Sequence, residues 1–158
     1  MYRKIMVPLD GSQLAECALP HVEAITTGCK TANVVFVRVV EPIQLPARLP
    51  AQGEFGFQDK DRRQIDEQRK KTAEAYLEKI IQKAALGETV PVYEVLEGSV
   101  AETLAAWAEQ NDVDLIIIAS HGRSGVSRWV MGSVADRNLR SVCVPVMMIR
   151  APGCTPGI

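Results

Sequence analysis

The chain has 158 residues, 47% of them hydrophobic and 23% charged, which predicts one soluble domain with a proper core. Its formal net charge of −1 gives no general attraction to nucleic acid or to an anionic membrane, so we expect neither as a partner. No apolar run approaches the roughly 20 residues of a membrane-spanning helix, and the opening MYRKIMVPLDGS lacks secretory-signal features. Four cysteines without a CxxC pair and two histidines favour reduced thiols in the cytoplasm and no metal site built from protein alone.

Short apolar runs alternate with helical segments along the chain. The spacing predicts strands over 4–9, 33–40, 90–96, 114–119 and 145–149, and helices over 13–27, 59–86, 99–111 and 133–142. This alternation is typical of a mostly parallel sheet with helices on both faces. Pro20 should kink or split the first helix, and Ser99 with Glu102 has the spacing of a capping box.

Two segments fall outside this pattern. Residues 42–58 contain three prolines and two glycines, which predicts a long irregular loop, either a surface excursion or a lid over a ligand. Residues 151–158, APGCTPGI, predict a flexible tail after a domain that spans 1–150.

Polar and small residues follow the first and fourth predicted strands. Pro8-Leu9-Asp10-Gly11-Ser12 ends the first strand, and Ala119-Ser120-His121-Gly122 ends the fourth. The second segment leads to Gly132-Ser133-Val134 at a predicted helix start, where backbone N–H groups and the helix dipole favour an anion such as phosphate. In open α/β sheets, ligands bind at these carboxyl ends, where the strand order reverses.

The common phosphate-binding fingerprints are absent from the sequence. It has neither G-x-x-x-x-G-K-[ST] nor a G-x-G-x-x-G after the first strand, which argues against P-loop, kinase and dinucleotide-binding proteins. We therefore interpret the two polar strand ends as a site for a small molecule that carries phosphate. The alternative is that the glycines there only end the strands.

Three stretches, KIMVPLDGS, ASHG-x9-GS and CVPVMMIR, together resemble the universal stress protein family, and the likeness covers nearly the whole chain. The resemblance implies a three-layer fold of the adenine nucleotide alpha hydrolase-like type, an open five-stranded parallel sheet in order 3-2-1-4-5 with helices on both faces. In that order the switch point lies between strands one and four, where both polar strand ends meet.

ATP-binding members of that family carry G-x-x-G-x9-G-[ST], and the resemblance transfers roles to matching positions here. It implies that Asp10 hydrogen-bonds the ribose, and that the phosphates are held by Gly122, Gly132, Ser133 and the Val134 amide. The adenine would be bordered by Pro8, Leu9, Val39 and Ile118, and the rest of the implied nucleotide-binding set is Ala119, Ser120, His121, Arg123 and Gly125. The ligand is expected to be ATP, or else AMP or ADP, with Mg²⁺ bound to the nucleotide.

Two residues raise questions about this site. Ala119 occupies the first glycine of the family motif; if the position requires positive φ, alanine is strained and binding suffers. If Ala119 is instead the last extended residue of its strand, only a methyl is added, and we favour this case. Arg38, in an otherwise apolar strand, lies either near the pocket mouth or at a sheet edge with its guanidinium in water.

The sequence leaves three functions to compare. The first is a regulatory module that binds an adenine nucleotide with little turnover and acts through conformation or unknown protein partners in the stress response. The second is a nucleotide-free interaction module of the same fold, its pocket filled by the Ala119 methyl and the 129–131 side chains. The third is a slow ATP hydrolase or phosphotransferase, for which no base other than His121 is evident.

The last predicted strand, 145–149, has features of an interface. The implied strand order places it at a sheet edge, and its sequence PVMMI has no lysine or interior proline to blunt that edge. We therefore expect a homodimer paired through this strand.

Overall fold

The computed structural model describes residues 2–42, 59–119 and 143–150. Its strands are β1 (Lys4–Pro8), β2 (Asn33–Val40), β3 (Val90–Glu97), β4 (Leu115–Ala119) and β5 (Val146–Ile149). Its α-helices are α1 (Leu19–Cys29), α2 (Asp59–Lys83) and α3 (Val100–Gln110), and a 3-10 helix (Ala15–Ala18) precedes α1. The predicted helix over 133–142, most of the predicted loop over 42–58 and the predicted tail over 151–158 lie outside the described residues.

The five strands form one sheet in the order β3-β2-β1-β4-β5, and every recorded pairing is parallel. This confirms the order implied by the family resemblance. The order reverses between β1 and β4, because β2 and β3 follow on one side of β1 while β4 and β5 lie on the other. The switch point is therefore the carboxyl end of these two central strands.

Helices cover the sheet on both faces, as predicted. One core cluster joins β-strand residues such as Val34 and Phe36 to Val22 of α1 and Leu77 of α2. The other joins the strand residues that alternate with those of the first cluster to residues of α3. Its members are Met6, Val35, Val37, Leu104, Ala108, Val113 and Ile116. Because successive strand residues point to opposite faces, α1 and α2 form one outer layer and α3 belongs to the other.

The continuous apolar runs form the central strands. Val34 through Val37 are all buried in β2, and β4 is buried along its whole length. Strands covered on both faces show this pattern rather than an alternation of apolar and polar residues. The predicted bounds of β2 are confirmed, and the other strands differ from their predictions by a residue at one end.

Pro20 divides the first helical segment, as expected, but the α-helix begins later than residue 13. Residues Ala15–Ala18 form the 3-10 helix, and α1 starts at Leu19 with proline in its first turn. A proline is tolerated there because the first N–H groups of a helix have no partner within it. Deeper in a helix it would remove a hydrogen bond.

Helix α2 ends at Lys83, three residues before the predicted end, and buries one narrow stripe. Ala73, Leu77 and Ile80 of the predicted stripe are buried, while Ile65 and Ala84 are partly exposed. Most charged residues of α2 between 61 and 83 are exposed, while Arg62, Asp66 and Glu74 are partly buried. No helix in the described ranges is both long enough and apolar enough to cross a membrane.

The predicted capping box at α3 is wrong in its hydrogen bonds. Ser99 is the N-cap residue with extended backbone (φ −68°, ψ 125°), but its side chain makes no capping hydrogen bond. Ser99 and Glu102 are both exposed, so water can satisfy the first N–H groups of the helix without either side chain.

Candidate functional site

The candidate site is the crevice that open α/β sheets form outside the carboxyl ends of the strands at the switch point, here those of β1 and β4. The recorded pairs between these strands are Ile5↔Leu115 and Met6↔Ile116, both in the first half of each strand. Further along, β1 keeps its pairing with β2 through Pro8↔Val37, and β4 keeps its pairing with β5 through Ala119↔Ile149. Within the described residues, the recorded β1–β4 pairing therefore ends before the carboxyl ends of the two strands, at the switch point where a ligand binds in folds of this kind.

Asp10 follows β1 at the edge of this crevice and is oriented by its own turn. Its Oδ1 accepts hydrogen bonds from the Ser12 N–H at 2.9 Å and from the Ser12 hydroxyl at 2.6 Å. The Ser12 Oγ in turn accepts the Ala15 N–H at 3.1 Å. This Asx-type turn fixes the direction of the carboxylate before any ligand arrives.

The residues implied to border an adenine divide between the two faces of the sheet. Val39 packs against the core cluster on the α3 side. Ile118 and Pro8 share that face, because each lies two residues after a member of the same cluster, Ile116 and Met6. Leu9 differs: its side chain is buried in the opposite cluster, and its N–H donates to the Val37 carbonyl at 2.8 Å. Leu9 thus packs on the α1–α2 side of the sheet below the Asp10 turn, while Pro8, Val39 and Ile118 lie on the α3 side.

Ala119 is an ordinary strand residue. It ends β4, pairs with Ile149 and is buried, and the positive-φ residues other than glycine in the described ranges are Lys30 and Asp112. The favoured interpretation of the sequence, an extended alanine without strain, is confirmed. By alternation its methyl lies on the face of Ile117, opposite the face of Ile118.

Arg38 lies on the α2 face of β2, and the interpretation that it lies at a sheet edge is wrong, because β2 lies between β3 and β1. Its guanidinium carbon is 5.3 Å from the ring centroid of Tyr76 in α2, in cation–π geometry. The guanidinium also lies close to Gly11, where an added Cβ would be 3.0 Å from Nη1. Arg38 is thus partly buried beside the turn that carries Asp10, on the face opposite Val39. Its expected place near the pocket mouth stays a prediction.

Tyr76 is the residue that sequence reasoning missed. Burial raises the pKa of its phenol most, and the nearby Glu16 carboxylate raises it further, so the phenol stays neutral. Its Oη is buried without a hydrogen-bond partner among the described residues; Glu16 therefore acts on it as a nearby charge. A signal was present in the sequence, because Tyr76 stands three residues after Ala73 and on the edge of the buried stripe of α2.

The predicted phosphate-binding half of the site lies outside the described residues. This applies to Ser120, His121, Gly122, Arg123, Gly125, Gly132, Ser133 and Val134. The described residues bring together Pro8, Asp10, Val39, Ile118 and Ala119 at one end of adjacent strands. Of these, Pro8, Asp10, Val39 and Ile118 belong, with Leu9, to the group that the resemblance assigns to the nucleoside half of the ligand.

Comparison with known proteins agrees with this architecture. The model of the universal stress protein family matches residues 1–150. The chain belongs to this family. It is 30% identical to universal stress protein MJ0531 of Methanocaldococcus jannaschii over 153 residues, which cover 96% of this chain and 84% of the relative. The family resemblance proposed from the sequence is confirmed.

Solved structures of other family members share the fold, and some contain nucleotides. Protein MJ0577 superposes with a TM-score of 0.74 at 23% identity, covering 98% of this chain and 99% of that one. A universal stress protein in complex with cAMP has a TM-score of 0.65 at 17% identity and covers 95% and 98%. The Arabidopsis thaliana family protein At3g01520, with AMP bound, has a TM-score of 0.61 at 14% identity and covers 95% and 92%.

Proposed function

We propose that the protein is a regulatory module of the universal stress protein family that binds ATP, or AMP or ADP, in the crevice between β1 and β4. The observation that carries this proposal is the early end of the β1–β4 pairing, beside an Asp10 carboxylate already oriented by Ser12. A preformed turn loses less entropy on binding than a mobile one. The AMP and cAMP complexes of family members with the same fold support an adenine nucleotide as the ligand.

The roles of individual residues follow the family motif. Asp10 receives the ribose hydroxyls, and the adenine lies against Pro8, Val39 and Ile118, which share one face at the carboxyl ends of their strands. Gly122, Gly132, Ser133 and the Val134 amide hold the phosphates, with Mg²⁺ carried by the nucleotide. The helix-start amides supply the positive potential that phosphate requires.

We propose little or no turnover for this module. Phosphoryl transfer needs a positioned base and acidic groups for Mg²⁺ near the γ-phosphate. Asp10 is the carboxylate that the described residues place at the crevice, and its role at the ribose keeps it away from that phosphate. The protein would act instead through conformation or protein partners, in the cytoplasm where ATP is available.

Isothermal titration calorimetry with ATP, AMP and cAMP, with and without Mg²⁺, tests the binding. We expect micromolar affinity for ATP, improved by Mg²⁺, and phosphate release far below the ordinary enzyme rate of about 1 s⁻¹. Gly132→Val should abolish binding by filling the space that the phosphate approaches. Lys83→Met, a change at the exposed end of α2, is the matched control and should bind normally. No heat and no thermal shift at millimolar ATP would refute the proposal.

We further propose a homodimer paired through β5. This strand is an edge of the sheet, and Val146, Met147 and Met148 are 39%, 39% and 52% exposed. The other edge, β3, contains Pro91 and the exposed Glu94 and Glu97, which discourage pairing with another chain. The absence of such groups from 146–149 favours β5 as the self-pairing edge.

A further inference from the structure

The guanidinium of Arg38 fills the space between helix α2 and the turn after β1. One side faces the Tyr76 ring, with 5.3 Å between the guanidinium carbon and the ring centroid. Gly11 lies so close to the same guanidinium that a Cβ there would stand 3.0, 3.1 and 3.2 Å from Nη1, Cζ and Nη2. A planar cation thus lies against both an aromatic ring and a glycine backbone.

Gly11 transmits this contact to Asp10 because the two residues belong to one rigid turn. Gly11 has φ +83°, a conformation that glycine adopts without cost. On its two sides, Asp10 Oδ1 and the Ser12 N–H are joined at 2.9 Å. A shift of Gly11 toward α2 would therefore rotate the Asp10 carboxylate as well.

The chemistry of Arg38 suits this task. Arginine offers a flat face that stacks on an aromatic ring, whereas the lysine ammonium is a compact point charge on a flexible stem. The Tyr76 phenol stays neutral because burial, followed by the Glu16 carboxylate, raises its pKa. The ring therefore remains an uncharged platform for the guanidinium.

We propose that Arg38, stacked on Tyr76, is a positioning residue that holds the Gly11 turn so that the Asp10 carboxylate selects a ligand with ribose hydroxyls. This inference rests on the proposed function and extends it to the discrimination between ribose and deoxyribose nucleotides. Arg38 approaches from the sheet face opposite Val39, so it acts on the ligand through Asp10.

The test compares the affinity for Mg²⁺–ATP with that for Mg²⁺–2′,3′-dideoxy-ATP by calorimetry. The wild type should bind ATP about tenfold or more tightly, the scale of a lost hydrogen bond to a charged group. In Arg38→Met the ratio of the two affinities should fall below about threefold, as it should in Asp10→Ala. The double variant Arg38→Met/Asp10→Ala should have no lower ratio than either single variant, because both changes act through the same carboxylate. Arg63→Met removes a charge from an exposed position of α2 and should keep the wild-type ratio.

A merely structural role for Arg38 would weaken both nucleotides equally, and that result would overturn the proposal. If Arg38→Met does not fold, Arg38→Lys and Tyr76→Leu take its place. Each should lower the ratio of the two affinities at least about twofold. An unchanged ratio in both variants would overturn the proposal. A wild type that binds both nucleotides equally refutes the ribose role of Asp10 and this inference, but leaves ATP binding intact. A wild type that binds neither refutes the proposed function itself.

Discussion

The carboxylate of Asp114 accepts a 2.8 Å hydrogen bond from the backbone N–H of Lys4, which lies 110 residues earlier in the chain. The same Oδ2 accepts the Arg3 N–H at 2.8 Å, and the Asp114 N–H donates to the Lys4 carbonyl at 2.9 Å. These contacts join β1 and β4 at their amino ends. The central strands are therefore held together at their amino ends, while their recorded pairing stops before the carboxyl ends.

Asp114→Ala should lower the free energy of unfolding by about 1–2 kcal/mol at pH 7, below the full value for two charged hydrogen bonds because the site is partly exposed. Nucleotide affinity should change little, since the crevice is at the other end of both strands. Thermal unfolding and calorimetry of the same samples check both parts. The stability of Asp114→Asn, which keeps an uncharged acceptor, should lie between that of the wild type and that of Asp114→Ala.

The contribution of Asp114 should also depend on pH. The Lys4 N–H, followed by the Arg3 N–H, lowers the pKa of this carboxyl below its usual value. A lowered folded-state pKa gives stability that is complete above the unfolded pKa of about 4 and is lost as pH falls through the folded value. The stability difference between wild type and Asp114→Ala should therefore be constant from pH 5 to 7 and shrink below about pH 4. A difference that stays constant down to pH 2 would contradict this.

Gly11→Ala and Gly28→Ala should change stability in opposite directions. Gly11 has φ +83°, and its new methyl would press on the Arg38 guanidinium, so we expect a loss of about 1–3 kcal/mol. Gly28 lies within α1, and a Cβ added there meets nothing within 4 Å, so we expect a gain of about 0.5–1 kcal/mol. Urea unfolding of the two variants provides the comparison; equal effects would show that the turn is not strained by a side chain.

Ala119→Gly should separate stability from binding. The variant removes a buried methyl and loosens the end of β4, which should cost about 1–2 kcal/mol of stability. ATP affinity should change by less than about 1 kcal/mol, because the alanine backbone is already extended and its methyl points to the face of Ile117. A large gain in affinity on restoring glycine would instead mean that the methyl obstructs the ligand.

The fold could be predicted because its signals are local and repeated. The apolar run of residues 33–40 predicted both ends of β2 correctly, and Pro20 predicted the break before α1. The strand order came from the family resemblance, since no local pattern in 33–40 says which strand lies beside it. Predictions failed where water or a distant residue decides the outcome, as at Ser99, whose exposed side chain leaves capping to solvent.

In the candidate site, too, local sequence predicts some features and distant residues decide others. The positions of Asp10 and Ala119 at the carboxyl ends of β1 and β4 could be predicted from the sequence because both strands are recognisable apolar runs. Their roles toward a nucleotide come from the family resemblance and stay predictions. The environment of Arg38 could not be predicted, because it depends on Tyr76, which is 38 positions further along and approaches only when α2 packs on the sheet. Contacts of this kind depend on the tertiary arrangement, so neither periodicity nor a motif reveals them.

The register of β5 identifies the substitution that tests the dimer. Ile116 pairs with Val146, and its N–H donates to the Pro145 carbonyl at 2.9 Å. In a parallel ladder this turns the backbone groups of Met147 toward β4 and those of Met148 outward. A proline at 147 would thus damage the sheet of each subunit, whereas a proline at 148 removes only an outward donor.

If the proposed dimer pairs through β5, Met148→Pro should therefore convert it to a folded monomer. Two copies of β5 related by a twofold axis would pair as antiparallel strands through the outward groups of Val146 and Met148, and proline supplies no N–H to such a ladder. Light scattering at tens of micromolar should report a dimer for the wild type and a monomer for the variant, with unchanged circular dichroism. Met148→Leu, which keeps the backbone donor and the apolar surface, should remain dimeric. A monomeric wild type, or a dimer that survives Met148→Pro, would rule out pairing through this edge.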